Sequence, residues 1–481
     1  MAYTEPAGLP KAGLNCVAKD GRIDGRGSTY QEEAQQKTFS VAYTQDFCGV
    51  TELAEPMVSY NYESAKTNSD TGSGAGIKAM ICRTDDFAGT DLPYSNAELS
   101  GELDGPVGIV KGSKSTCEGL SSSALVTPFE PLKPWPNSGD HEAKVMSFPI
   151  GGSSVAIPIN LTTATCGGHT PPSTIDLTAK DLSNIFGGNI HTWNEAGTDL
   201  VEENPELSNC SGKIIRVVRE DNSGTTTIFK STFALPETGE LNKRTGSVCA
   251  AGEKWSPYFE ASPNTIWPGT NNALENNKEV EEGKCSEVVH GAKSGNPEEL
   301  AKVKATPGGI GYMDLPQAIN QSITLADVSS ATTESKTKPS ERSYLPPNSG
   351  QSANCSYSSL TLPGKTTSDA VGLNLEDNWS NNNQKPESEG GNGQPQHGID
   401  THQGPKYPIC GLTWDLVYTH DEGTSAEPAI SPMSNDQRRT LYSYFSFILS
   451  DAGQDLLNEV YYASLPILWL QTLREGFQKN F

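Results

Sequence analysis

The chain has 481 residues, with 59 acidic against 35 basic side chains and a net charge of -24. That length exceeds one ordinary domain and calls for two or more lobes. The negative balance excludes nucleic acid as a partner, because its binders need a basic surface, and the overall field would repel a small anion. An anion site in this chain must therefore work through short-range, pre-aimed hydrogen bonds.

The 47 Gly and 32 Pro indicate a loop-rich chain, and the 34% of hydrophobic residues suffice for two cores with polar insertions. Ten cysteines are dispersed along the sequence: Cys16, Cys48, Cys82, Cys117, Cys166, Cys210, Cys249, Cys285, Cys355 and Cys410. They contain no CxxC pair, which argues against a metal site. An even, scattered set predicts up to five disulfides in an oxidising compartment, hence an extracytoplasmic location: periplasmic, cell-surface or secreted. Spacing alone does not fix the pairing, although sequence neighbours are natural partners. No run reaches the roughly 18 to 20 apolar residues of a membrane span. The opening Met1–Pro6 lacks a basic n-region and an apolar core, so a secretion signal is expected to be absent from this sequence or removed.

In chain order, residues 1–21 read as an extended polar lead-in. Ser40–Tyr43 and Met57–Tyr60 are short strand candidates, and Ile77–Cys82 starts like a helix after a glycine cluster. Phe87–Pro93 holds a short strand ending on Asp91. Residues 120–142 form a Pro- and Ser-rich surface loop. Val145–Leu161 has two apolar runs around Gly151-Gly152, either a buried strand pair or a crossover between domains, since glycine permits a bend. Leu177–Phe186 predicts a helix whose Thr178 stands three residues before Asp181. Ile214–Val218 is a strand, Thr225–Phe233 a helix, and Ala305–Leu315 a turn feeding a short strand. Residues 321–405 read as a long polar insertion, partly disordered, tied down by Cys355. Order resumes at Tyr407–Tyr418. Asp436–Glu459 predicts a final helix with Leu441, Phe445, Ile448 and Leu449 facing inward.

The strongest local signal is the strand IIRVV followed by REDNSGTTTIF. The strand ends by presenting Arg219, the chain turns, and Ser223-Gly224-Thr225 opens a helix. A helix N-terminus leaves backbone N–H groups unpaired and partly positive. An oxyanion there would collect those donors and the hydroxyls of Ser223 and Thr225. Gly224 allows close approach, and Arg219 adds a planar fork that Asp221 can orient. The plain alternative is a capped helix, with Ser223 bonded to its own backbone. Gly25–Tyr30 and Gly72–Ile77 are further small-residue turns that could offer donors. A carboxylate such as Asp91 near an anion makes sense only if the ligand carries a proton. Monohydrogen and dihydrogen phosphate do and sulfate does not, so Asp91 would reject sulfate.

The ordered segments GRGSTY, GSGAGI, GTDLP, IGGSSVAIPINL, LTAKDLSNIFGGNIHTWNE, REDNSGTTTIF, PGGIGYMDL, YPICGLTWDLVY and YYASLP span about Asp24 to Phe481. Together they resemble the phosphate-binding component of bacterial ABC phosphate uptake, the PstS family. The resemblance implies an α/β class fold of the type II periplasmic binding protein kind, two lobes with phosphate in the cleft between them. The lobes implied are 22–148, 149–318 and a return of the first lobe at 319–481, carrying the insertion at 321–405. By matched position Thr29, Tyr30, Ser73 and Gly74 would give donors from the first lobe. Asp91 would accept the phosphate proton. Arg219, Ser223, Gly224 and Thr225 would come from the second lobe, with Asp221 orienting Arg219 and Trp193 structural. Departures stand out: Tyr30 where Phe is common, Gly74 where some members have a second Ser, an added Arg26, the ten cysteines and the insertion. The implied partners are inorganic phosphate and a membrane ABC permease, with no cofactor, no metal and no catalysis. A surface or assembly protein reusing the fold, with self-assembly, is the alternative that the insertion and cysteines favour.

Overall fold

The computed structural model describes residues 21–49, 57–61, 72–82, 85–91, 145–196, 198–221, 223–234, 248–249, 255, 258, 264–269, 285–292, 295–330, 332–333, 336–357, 405–418 and 433–480. The lead-in up to residue 20, the loop at 120–142 and the polar run at 358–404 lie outside them.

In chain order β1 (Ile23–Gly27) is followed by a helical run of three pieces, Glu33–Phe39, Ser40–Ala42 and Tyr43–Phe47. Then come β2 (Val58–Asn61), α1 (Gly72–Cys82), β3 (Phe87–Thr90), β4 (Val145–Ala156), β5 (Pro158–Asn160), β6 (Asp176–Leu177) and α2 (Ala179–Phe186). They are followed by β7 (Ile215–Arg219), α3 (Gly224–Ala234), β8 (Glu287–Ala292), α4 (Asn296–Ala305), β9 (Gly309–Ile310) and β10 (Met313–Asp314). Next are β11 (Thr324–Leu325), β12 (Asp327–Ser329), β13 (Tyr344–Leu345), β14 (Asn348–Ser349), β15 (Ser352–Ala353) and β16 (Cys410–Tyr418). The chain closes with α5 (Asn435–Ile448), α6 (Asp451–Leu457) and α7 (Ile467–Asn480). These elements form two compact units, one drawn from Met1–Gly152 and Leu412–Phe481, the other from Ser153–Leu360 and Gln384–Gly411.

In the first unit β1 lies between β2 and β3, parallel to both, and β16 adds antiparallel to β3. The second strand thus sits on one side of the first and the third on the other. In such a sheet the carboxyl ends of the first and third strands open a crevice where the order reverses. Glycine is required there. Gly27 has φ 148°, and a Cβ on it would meet the Gly89 carbonyl oxygen at 2.0 Å. A Cβ on Gly76 would come within 2.6 Å of that oxygen and 2.9 Å of the Gly27 Cα. The glycines that open α1 therefore let the helix settle directly on the strand ends. Behind them Phe445 packs edge-on against both Phe87 and Phe148, each at 5.3 Å.

The second unit repeats the arrangement: β7 lies between β8 and β9, parallel to both. β5 and β11 extend that sheet antiparallel beyond β9. Its core stacks Phe229 on Tyr312 at 4.5 Å, with Phe186 edge-on to Phe229 at 4.7 Å. Disulfides join Cys166 to Cys210, Cys249 to Cys285 and Cys355 to Cys410, each pair being neighbours in the cysteine order. Cys48, in the first unit, is disulfide-bonded too.

The capped helix at Thr178 forms as its sequence predicts, with Thr178 and Asp181 in a reciprocal capping box. Other elements differ. Ser40–Tyr43 is helical, not a strand, and four residues are too few to separate the two periods. Val145–Ala156 runs as one strand through Gly151-Gly152 rather than as a strand pair, and the division between units falls after Gly152. The expected helix over Asp436–Glu459 is two helices, because Ser450 caps a second one by accepting from the Gly453 N–H. Leu441, Phe445, Ile448 and Leu449 are all buried. The polar run that starts at residue 321 is ordered at first: β11 pairs with β5 and β12 with β6, which places 319–360 with the second unit. Its Ser, Thr and Pro residues look like loop, but short strand pairs satisfy the backbone.

The glycine contacts predict the cost of a single methyl. Gly76→Ala should lower stability by about 1 to 3 kcal/mol, as overpacking does, read as a fall in Tm by calorimetry. An unchanged Tm would show that α1 can lift off the strand ends freely.

Candidate functional site

The first cluster sits where β1 and β3 end. Ser28 follows β1 and caps a short turn by accepting the Tyr30 N–H at 3.0 Å. Its own hydroxyl donates to Asp91 Oδ2 at 2.6 Å. Ser73, in the first turn of α1, donates to the same oxygen at 3.2 Å and accepts the Asp91 N–H at 3.0 Å. Thr413 donates to Asp91 Oδ1 at 3.1 Å. The register of β16 brings it there, since Trp414 lies opposite Thr90. Ser28, Thr29, Tyr30, Ser73, Asp91 and Thr413 are all essentially buried. Tyr60 donates to the Ser28 carbonyl at 2.9 Å and Tyr462 to the Tyr30 carbonyl at 2.7 Å, which pins the turn from two further elements.

The second cluster sits at the end of β7. Arg219 is fully buried. Its Nε donates to Asp221 Oδ1 at 2.5 Å and one terminal nitrogen to Asp221 Oδ2, a two-pronged pair. The other terminal nitrogen donates to Asn296 Oδ1 at 2.8 Å. Burial pulls the guanidinium pKa down, but the Asp221 carboxylate more than offsets it and the net direction is up. A guanidinium has five N–H donors. Three are used here, and the remaining two lie one on each terminal nitrogen, a pair suited to two oxygens of one tetrahedral anion.

Beside Arg219, α3 begins at Gly224. Ser223 Oγ accepts the Thr226 N–H at 3.3 Å, and Asn264 accepts the Ser223 N–H at 3.3 Å while donating to the Ser223 carbonyl at 2.6 Å. Ser223 is thus a helix cap, the plain alternative in its sequence. Thr225 tips the balance toward a site: its hydroxyl is buried without a hydrogen-bond partner among the described residues. Helix geometry also leaves the first-turn N–H groups of Gly224 and Thr225 without intrahelical acceptors. Thr226 shares a 2.8 Å hydrogen bond with the Tyr312 hydroxyl, which also accepts the Arg219 N–H at 3.3 Å. Lys230, one turn on, donates to the carbonyls of Tyr258, Asn264 and Ile266 and lies 4.3 Å over the Trp267 ring. Burial pushes its pKa down, while three carbonyls match the three hydrogens of an ammonium, so it braces the Asn264 segment.

Glu299, in the first turn of α4, is buried beside this cluster. Its Oε1 accepts the Tyr312 N–H at 3.1 Å and its Oε2 has no partner among the described residues. Burial pushes the carboxyl up to about 8, against the pull of Arg219 and of the Tyr312 N–H. Among the described residues no group of three or more His, Cys, Asp or Glu is placed to hold a metal ion. No described helix is long and apolar enough to cross a membrane.

The structure thus gathers Thr29, Tyr30, Ser73, Gly74 and Asp91 in one unit, and Arg219, Asp221, Ser223, Gly224 and Thr225 in the other. Trp193 is buried and donates to the Gly308 carbonyl at 3.2 Å. The sequence reading missed Ser28, Thr413, Asn264, Asn296 and Glu299. Ser28 lies inside the quoted GRGSTY turn. For the others, only the fold brings them to the strand ends.

Residues 139–361 match the PBP superfamily domain. The chain carries a PBP superfamily domain and is a distant homologue of the PstS phosphate-binding proteins. The phosphate-binding protein PstS of Methanocaldococcus jannaschii is 25% identical over 218 residues, 45% of this chain and 46% of that one. Phosphate-binding protein PstS 3 of Mycobacterium tuberculosis is 24% identical over 323 residues, 67% of this chain and 60% of that one. The chain therefore spans roughly half of the relatives it matches in sequence. A solved human phosphate-binding apolipoprotein superposes with a TM-score of 0.53 at 15% identity, over 94% of this chain and 93% of that one. The fold is that of the type II periplasmic binding proteins, and these relatives are named as phosphate-binding proteins.

The Glu299 carboxyl makes stability depend on pH. Its folded pKa is raised from about 4.5 to about 8, so the folded state holds a proton that the unfolded state has lost between those values. The stability it contributes is full below about 4.5 and is lost as pH rises to about 8, by at most about 1.4 kcal/mol per pH unit. Glu299→Gln keeps a neutral group and removes this dependence. Its Tm advantage over the native protein should grow between pH 5 and 8, and a pH-independent difference would show that Glu299 is ionised throughout.

Proposed function

We propose that this chain is an extracytoplasmic solute-binding protein that binds inorganic phosphate and hands it to a membrane ABC permease. The observation that carries the reading is the buried donor set around Arg219: two guanidinium hydrogens beyond its internal bonds, with the orphaned Thr225 hydroxyl beside the opening turn of α3. A buried polar group without a partner costs about 1 to 3 kcal/mol, and an oxyanion that meets it recovers that cost.

The Asp91 cluster supplies the selectivity. A carboxylate accepts and does not donate, and three hydroxyls already point their hydrogens at it. A protonated phosphate gives Asp91 a new donor and frees those hydroxyls to turn toward the anion. Sulfate brings no proton and meets only repulsion. The disulfides fit an oxidising compartment outside the cytoplasm.

Calorimetric titration should show phosphate bound at micromolar concentration or tighter, with excess sulfate barely competing. Equal competition by sulfate would remove Asp91 from its role. Arg219→Ala should weaken phosphate binding by about 1.5 to 3 kcal/mol, the scale of a charge-assisted hydrogen bond, and an unchanged affinity would move the site elsewhere. Asp91→Asn should narrow the gap between phosphate and sulfate in the same titration.

A further inference from the structure

The two units share one topology at their strand ends, and it singles out a residue that the phosphate reading did not include. In the first unit the helix between the second and third strands is α1, and its first turn supplies Ser73 to the Asp91 cluster. In the second unit the helix between the second and third strands is α4, and it opens on Asn296. Asn296 is fully buried. Its Oδ1 faces Arg219 at 2.8 Å on the nitrogen that Asp221 does not hold. The guanidinium has only donors, so it fixes the amide with oxygen toward the cation and Nδ2 turned away. That nitrogen has no hydrogen-bond partner among the described residues. A fully buried amide with one end bonded to the anion-seeking cation and the other end unmatched is an arrangement that a bound oxyanion completes.

We propose that Asn296 is a third arm of the anion site in the second unit: it positions Arg219 from the side opposite Asp221 and donates its amide N–H to the bound phosphate. This rests on the reading of Arg219 as a phosphate residue. The two carbonyl-type contacts on Arg219 divide the labour. Asp221 holds the guanidinium by charge, while Asn296 holds it without adding a negative charge that would repel the ligand. Its amide also matches a phosphate oxygen, which is acceptor-only when ionised. The same position occupied by a carboxylate would keep the grip on Arg219 and lose the anion.

That contrast is the experiment. Inorganic phosphate is titrated calorimetrically into the full chain as the native protein and as Asn296→Asp and Asn296→Ser, with the Tm of each recorded. Asn296→Asp keeps an oxygen toward Arg219, so it should retain the native Tm, yet bind phosphate about tenfold more weakly or worse, the fold-change of one charge-assisted hydrogen bond. Asn296→Ser removes the reach to both groups without adding charge and should weaken binding as well. Phosphate affinity equal to the native value in either folded variant overturns the proposal. So does a lowered Tm with native affinity, which is the signature of a residue that only braces α4. Should Asn296→Asp fail to fold, Asn296→Ser decides alone. A native protein that does not bind phosphate at all overturns the reading of the whole site. Native binding lost in Arg219→Ala but kept in the Asn296 variants overturns this inference only.

Discussion

The cluster at the end of β7 depends on the buried cation Arg219. Arg219 ends β7 with no exposure to water, in a chain whose net charge is -24. A buried charge is tolerated only when paired and hydrogen-bonded. Asp221, two residues on, supplies the pair through two contacts, and Asn296 and Tyr312 hold the nitrogen and the backbone that remain. The nearby Glu299 carries the cost of this economy. With Asp221 already balancing the cation, burial pushes Glu299 up to about 8 rather than leaving a second negative charge. The cluster is thus held near neutrality internally, with two guanidinium hydrogens left beyond those internal bonds.

The same strand order appears in both units, and each carries charged chemistry at the carboxyl end of one of its parallel strands. In the first unit the third strand runs out on Asp91, ringed by the hydroxyls of Ser28, Ser73 and Thr413. In the second unit the first strand runs out on Arg219. Parallel strands whose order reverses leave their carboxyl ends uncovered, so a short list of turn residues can build each cluster. Glycine makes this possible in the first unit, where Gly27, Gly76 and Gly89 meet backbone to backbone with no room for a Cβ. Aromatic stacks of Phe186, Phe229 and Tyr312 do the corresponding work in the second, since the Tyr312 ring packs in the core while its hydroxyl touches the site.

Sequence alone determined the elements with strong local causes. The Thr178 capping box is written in four residues, and the strand–turn–helix around Arg219 in ten, because caps, turns and a bidentate Arg–Asp pair act over short range. It also determined the acidic character, the cysteine count and the order of motifs that tie the chain to the phosphate-binding proteins. Tertiary structure decided what depends on register and on distant partners. It made Ser40–Tyr43 helical, since short apolar runs fit either period. It carried Thr413 across a sheet to Asp91 from 322 residues away, and Asn296 to Arg219 from 77. Those contacts follow from which strand lies beside which, a property that hydrogen bonding between remote segments sets and that no local pattern encodes.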